Sequence, residues 1–93
     1  MRFTARVEVR GLPGIADPAG RTIERALPVL GFAGVAAVHV GKLITFELEA
    51  ADQLSALAAV EEMCEALLAN PVIERYEIHI EPCVEPRTEA PSR

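Results

Sequence analysis

An α+β domain with the element order β-α-β-β-α-β is predicted by three features of this chain. Residues 2 to 10 alternate strictly between polar and apolar side chains. Two amphipathic runs each begin at an aspartate able to cap a helix, and three further runs carry the β-branched and aromatic residues of strands.

The first strand places Phe3, Ala5, Val7 and Val9 on one face and Arg2, Thr4, Arg6, Glu8 and Arg10 on the other, which is the pattern of a half-buried strand. After Gly11-Leu12-Pro13-Gly14, Asp17 followed by Pro18 starts a helix: the carboxylate accepts orphan backbone amides and proline fits the first turn. Ile23, Ala26, Leu27 and Leu30 form its apolar stripe, Pro28 kinks or shortens it, and Gly31 suits its C-terminal end. Residues 34 to 40 and 42 to 50 read as two strands joined by a hairpin turn at Gly41-Lys42. Asp52 caps a second helix over 53 to 69, with Leu57, Val60, Cys64, Leu67 and Leu68 inward and Glu61, Glu62 and Glu65 mostly outward. That helix stops at a sharp joint. Asn70 tolerates the left-handed conformation that ends a helix and Pro71 cannot extend one, so the chain passes into a fourth strand over 72 to 81. Val72, Tyr76, Ile78 and Ile80 share one of its faces. A single domain is expected over 1 to 82, followed by a disordered tail over 83 to 93, since Pro82 to Arg93 holds three prolines.

This order is the split βαβ, or ferredoxin-like, arrangement, in which two helices cover one face of a four-stranded antiparallel sheet. A two-residue hairpin puts Val38 and Val40 on the same face as Leu43 and Thr45, with Ile44, Phe46 and Leu48 opposite. Either way valines or leucines fall on the face without helices, and such a patch predicts self-association, most simply as a two-fold homodimer.

Composition excludes several classes. The chain has 93 residues, enough for one small domain. A net charge of −5, nine unclustered basic residues and few aromatics leave no footprint for nucleic acid. No apolar run approaches the ~20 residues of a membrane span, and the start lacks the apolar block of a signal peptide, so the cytoplasm is expected. Cys64 and Cys83 are expected to stay reduced there, Cys64 as a small core residue and Cys83 as an exposed thiol.

Constellations for catalysis are absent. The serines are Ser55 and Ser92, and neither His39 nor His79 lies in a motif that orients a base. The histidines read as titrating surface or interface residues, and no C-x-x-C supports a metal carrier. Gly20, in the first turn after Asp17, suggests close backbone approach. Two readings stand there: capping with tight packing, within the chain or against a partner, or a phosphate at the helix N-terminus, which Asp17 would repel. Lys42, the sole lysine, is either a solvated turn residue or a contact for a partner carboxylate or substrate phosphate. A compact acidic domain without these sets is not expected to be an independent enzyme.

Three motifs then occur in order: Asp17-Pro18-x-Gly20, Val40-Gly41-Lys42, and Cys64-x-x-Leu67-Leu68-Ala69-Asn70-Pro71-Val72-Ile73-Glu74-x-Tyr76. Together they closely resemble the PurS family, small subunits of phosphoribosylformylglycinamidine synthase, over residues 2 to about 82. The resemblance implies a non-catalytic assembly subunit in purine synthesis, acting as a homodimer. It would join a glutaminase subunit (PurQ-like) to a synthetase subunit (PurL-like) and help enclose the path of ammonia. It implies no cofactor in this chain, with ATP and Mg at the large subunit. Asp17, Gly20, His39, Gly41, Lys42, Asn70 and Pro71 are expected to shape partner-facing loops. The family commonly has Arg where this chain has His39, which makes a permanent charge titratable. The alternative from another class is a regulatory small-molecule-binding module of the same fold.

Overall fold

A computed structural model describes residues 1–83 of the chain; the expected tail, apart from Cys83, lies outside the described residues. Its elements are β1 (Arg2–Gly11), α1 (Pro18–Val29), β2 (Lys42–Glu49), α2 (Gln53–Met63), a π-helical turn (Cys64–Leu68) and β3 (Glu74–Pro82). The sheet is antiparallel with the order β2-β1-β3. Strand β1 is central. Val9 lies opposite Lys42 on one side and Tyr76 on the other, and Phe3 opposite Leu48 and Pro82.

Pleating sorts the side chains. On one face Phe3, Ala5, Val7 and Val9 are buried to 1% exposure or less, and Ala56, Val60 and Cys64 of α2 and its continuation close over them. Burial of each larger member stabilises the fold by about 1.5–3 kcal/mol. Ile44, Phe46, Leu48, Tyr76, Ile78 and Ile80 surround this core, partly buried. The opposite face carries Arg2, Thr4, Arg6, Glu8 and Arg10 of β1, flanked by Thr45, Glu47, Glu49, Arg75, Glu77, His79 and Glu81, with Leu43 its single apolar member among the described residues. The expected valine patch on this face is therefore not there. It is a polar, solvent-facing surface.

The expected fourth strand is corrected too. Residues 34 to 40 form no ladder, and Gly41-Lys42 is not a hairpin turn. Ala37 at φ 58° and Gly34 at φ 86° interrupt extended backbone. The amides of Val38 and Val40 donate instead to Glu24 Oε1 (3.2 Å) and Asp17 Oδ2 (3.0 Å). Helix α1 and this returning segment thus run side by side as an arm. Within α1 only Gly20 is buried, and none of its residues joins the core. Pro28 sits inside the last turn, and the helix continues past it to Val29, where Leu30 N bonds the Ala26 and Leu27 carbonyls.

The second helix ends by a route the sequence did not suggest. Ala69 N donates to the Cys64 carbonyl (3.1 Å), an i to i+5 bond that accommodates one extra residue. The extra residue turns Leu67 outward, 82% exposed, and brings Leu68 and Ala69 to the core. Asn70 is not left-handed. It makes a side-chain turn: Oδ1 accepts from Val72 N (3.1 Å), while its carbonyl accepts from Ile73 N (3.0 Å) and Glu74 N (2.7 Å). Val72, expected in the strand, is 79% exposed in this turn.

Candidate functional site

Three loops meet at one end of the sheet, where β1 finishes and β2 and β3 begin. Leu12 N donates to the Ile73 carbonyl (2.9 Å), tying the 11–17 loop to the turn before β3. Between them and residues 39–43 lies a cleft of ≈ 770 Å³.

Asp17 organises one wall. Its Oδ1 accepts from Gly20 N (3.0 Å) as the helix cap, its Oδ2 accepts from Val40 N (3.0 Å), and His39 Nδ1 lies 3.6 Å from the same oxygen. One carboxylate therefore closes the helix start and fixes the returning segment. Gly20 is required by the closeness of this packing: an added Cβ would stand 2.6 Å from both Asp17 Oδ2 and the Val38 carbonyl oxygen. Of the two readings for this turn, the capping one matches the geometry, because the carboxylate occupies the amides that a phosphate would need.

The amides of Val40 and Gly20, and then His39 alongside, hold the Asp17 carboxyl below its ordinary value of 3.8. A depressed carboxyl contributes stability above its unfolded pKa and loses it as pH falls through the folded value. Thermal melting of the chain should therefore fall more steeply with acidification below pH 3.8 than that of Asp17→Asn. Parallel acid curves for the two proteins would remove Asp17 from this role.

The structure brings Asp17, His39, Gly41 and Lys42 into the cleft lining, with Gly20 directly behind. Asn70 and Pro71 stand one step outside. Asn70 shapes the wall indirectly, through its carbonyl bonds to Ile73 and Glu74, and its own amide donates to Glu74 Oε1 (2.7 Å). Reasoning from sequence missed Arg10, Arg75 and Glu74. The alternation of β1 and β3 located them on strand faces, but only the register sets Arg10 opposite Arg75. Like charges directly opposite are destabilising. Arg10 has a carboxylate at 3.7 Å, Glu8, whereas no ion pair reaches Arg75 or Lys42 among the described residues. The acids of the cleft are engaged and two of its cations are free.

Across the solvent face, Glu8, Glu77 and His79 bring ligand atoms within 4.8 Å of one another, with His79 Nε2 3.9 Å from Glu8 and 4.0 Å from Glu77. His39 lies in the cleft, so the two histidines do not meet. Cys64 is buried and Cys83 half-buried, its sulfur 3.1 Å from Thr4 Oγ1; both are free thiols.

A family model described as PurS, phosphoribosylformylglycinamidine (FGAM) synthase, matches residues 4–82. The chain belongs to the PurS family. The phosphoribosylformylglycinamidine synthase subunit PurS of Methanocaldococcus jannaschii is 44% identical over 79 residues, covering 85% of this chain and 95% of that protein. Its Bacillus subtilis counterpart is 36% identical over 83 residues, covering 88% and 96%. The M. jannaschii PurS crystal structure, described as one of the subunits of formylglycinamide ribonucleotide amidotransferase in the purine biosynthetic pathway, is similar with a TM-score of 0.80 at 41% identity. The match covers 88% of this chain and 99% of that one. A chain in the structure of PurLQS from Thermotoga maritima matches with a TM-score of 0.80 at 36% identity, covering 87% and 99%. All three motifs read from the sequence fall inside the PurS match, and each contributes to the cleft lining, through Asp17, Val40 to Lys42, and Ile73 and Glu74.

Proposed function

We propose that this chain is the small, non-catalytic subunit of a phosphoribosylformylglycinamidine synthase. The enzyme converts formylglycinamide ribonucleotide, ATP and glutamine to the amidine, ADP, phosphate and glutamate. The observation that carries this reading is the PurS match over residues 4–82. The cleft is consistent with it: Asp17 is committed to backbone amides, and the free groups are the cations Lys42 and Arg75. Such a surface suits docking to acidic loops of other subunits.

In this role the chain works as a homodimer in the cytoplasm, holding the glutaminase subunit on the synthetase subunit, where ATP and Mg act. The PurLQS structure of a relative supports an assembly of this kind. Enclosure matters because ammonia released to neutral water is protonated and loses its nucleophilicity. With the three purified subunits, omission of this chain should abolish amidine formation from glutamine while leaving formation from added ammonium salts. Unchanged glutamine-dependent turnover without it would refute the proposal.

A further inference from the structure

We propose that Glu8, Glu77 and His79 form a binding site for a late first-row divalent cation such as zinc, which clips the edge strand β3 to the central strand β1. The site stands independently of the subunit reading above. Its ligands are placed by the ladder and not by a loop. Glu8 and Glu77 lie directly opposite each other, and His79 follows two residues along β3, opposite Arg6. Strand alternation therefore puts all three on the polar face. One ligand atom from each lies within 4.8 Å of the other two. The donor set is mixed. An imidazole with two carboxylates suits zinc and its neighbours, whereas magnesium and calcium take oxygen alone.

Charge and distance say what fits between them. Carboxylates directly opposite on paired strands repel. Glu8 Oε1 has Arg10 Nη2 at 3.7 Å, but its Oε2 turns toward His79, and among the described residues Glu77 has no ion-pair partner besides His79. The Nε2 of His79 thus stands between two carboxylate oxygens, 3.9 Å from Glu8 Oε2 and 4.0 Å from Glu77 Oε1. Both separations are too long for a hydrogen bond from the ring. A tetrahedral ion about 2.1 Å from each donor holds its donors about 3.4 Å apart, so the ring has to close on each carboxylate by only about half an ångström. The side chains have that freedom, being 34% (Glu8), 40% (His79) and 68% (Glu77) exposed. A fourth position is left for water. Arg6, Arg10 and Arg75 share this face and oppose a cation, which sets the expected Kd on the order of micromolar and not tighter.

Calorimetric titration of the metal-free full chain with zinc sulfate, and thermal melting with and without zinc, test the site. One zinc per chain should bind. At a hundredfold excess over Kd it should raise the melting temperature by about 5 °C or more, and a chelator should reverse the shift. His79→Ala and Glu77→Gln should each weaken binding about tenfold or more, since each removes a ligand. Without zinc both should melt within a few degrees of the unmodified chain, and Glu77→Gln no lower, because it relieves the repulsion from Glu8. A weakened titration then cannot be ascribed to misfolding. His39→Ala, in the cleft, and Cys83→Ser, beside Thr4, should titrate as the unmodified chain does. The proposal is overturned if no zinc binds below about 1 mM. It is equally overturned if binding survives in both His79→Ala and Glu77→Gln, or is lost in His39→Ala or Cys83→Ser.

Discussion

Gly41→Ala is expected to lower the melting temperature of the chain by roughly 5 to 20 °C, an effect out of proportion to one methyl group. Backbone strain is not the reason, since Gly41 is not among the residues with positive φ. The added Cβ would stand 2.5 Å from the Val9 carbonyl oxygen and 3.6 Å from its carbon. Neither side can yield easily. Val9 lies in the central strand, 1% exposed and paired on both sides, and Gly41 leads directly into β2. Overpacking of this kind typically costs about 1–3 kcal/mol, which for a domain of this size converts to the shift given. Gly11→Ala is the control, because its Cβ would meet only the Ile73 carbonyl oxygen at 4.0 Å, an ordinary contact. Equal melting temperatures for the two variants would show that the approach at Gly41 relaxes at no cost.

The double reversal Lys42→Glu, Arg75→Glu should act in the opposite sense, sparing the fold and weakening assembly. Neither side chain takes part in an ion pair among the described residues, and Arg75 faces Arg10 across the ladder, so removing its charge relieves a repulsion. Melting should stay within a few degrees of the unmodified chain. Affinity for the synthetase and glutaminase subunits, measured by titration, should fall about tenfold or more at low salt. The difference should shrink as salt is raised, as expected of charges at the rim of an interface. Undiminished affinity would move the docking surface away from the cleft.

Much of this architecture was legible because β1 alternates without a break and its apolar residues are the ones that became the core. Both N-caps were readable for the same reason, since Asp17 and Asp52 each accept from the amide three residues on. The failed strand shows where local pattern loses to context. Residues 34 to 40 have strand composition, yet Asp17 and Glu24, far back in sequence, compete for their amides, and positive φ at Gly34 and Ala37 breaks the extension. No window of neighbouring residues contains that competition. At the site, the glycines and Asp17 were found because close approach and capping leave a local signature, whereas Arg10 and Arg75 required the pairing register. Asn70 was found for the wrong conformational reason: its side chain, rather than left-handed backbone, makes the turn.

The π-helical turn at Cys64–Leu68 gives the cleft an unusual dependence on chain length. One residue more than an α-turn is wound into it, and each helical residue corresponds to about 100° of rotation and 1.5 Å of rise. A deletion at Glu65, Ala66 or Leu67 would be absorbed by reverting to α-helix, leaving the helix cap and the core residues through Cys64 in place. Glu74 and Arg75 would stay paired with Gly11 and Arg10, so the change falls on the corner at Asn70 and Pro71, where the bonds of the Asn70 carbonyl to Ile73 and Glu74 would have to be remade. The position of that corner beside the cleft is thus set by a count of residues, open to insertion or deletion where substitution has little leverage.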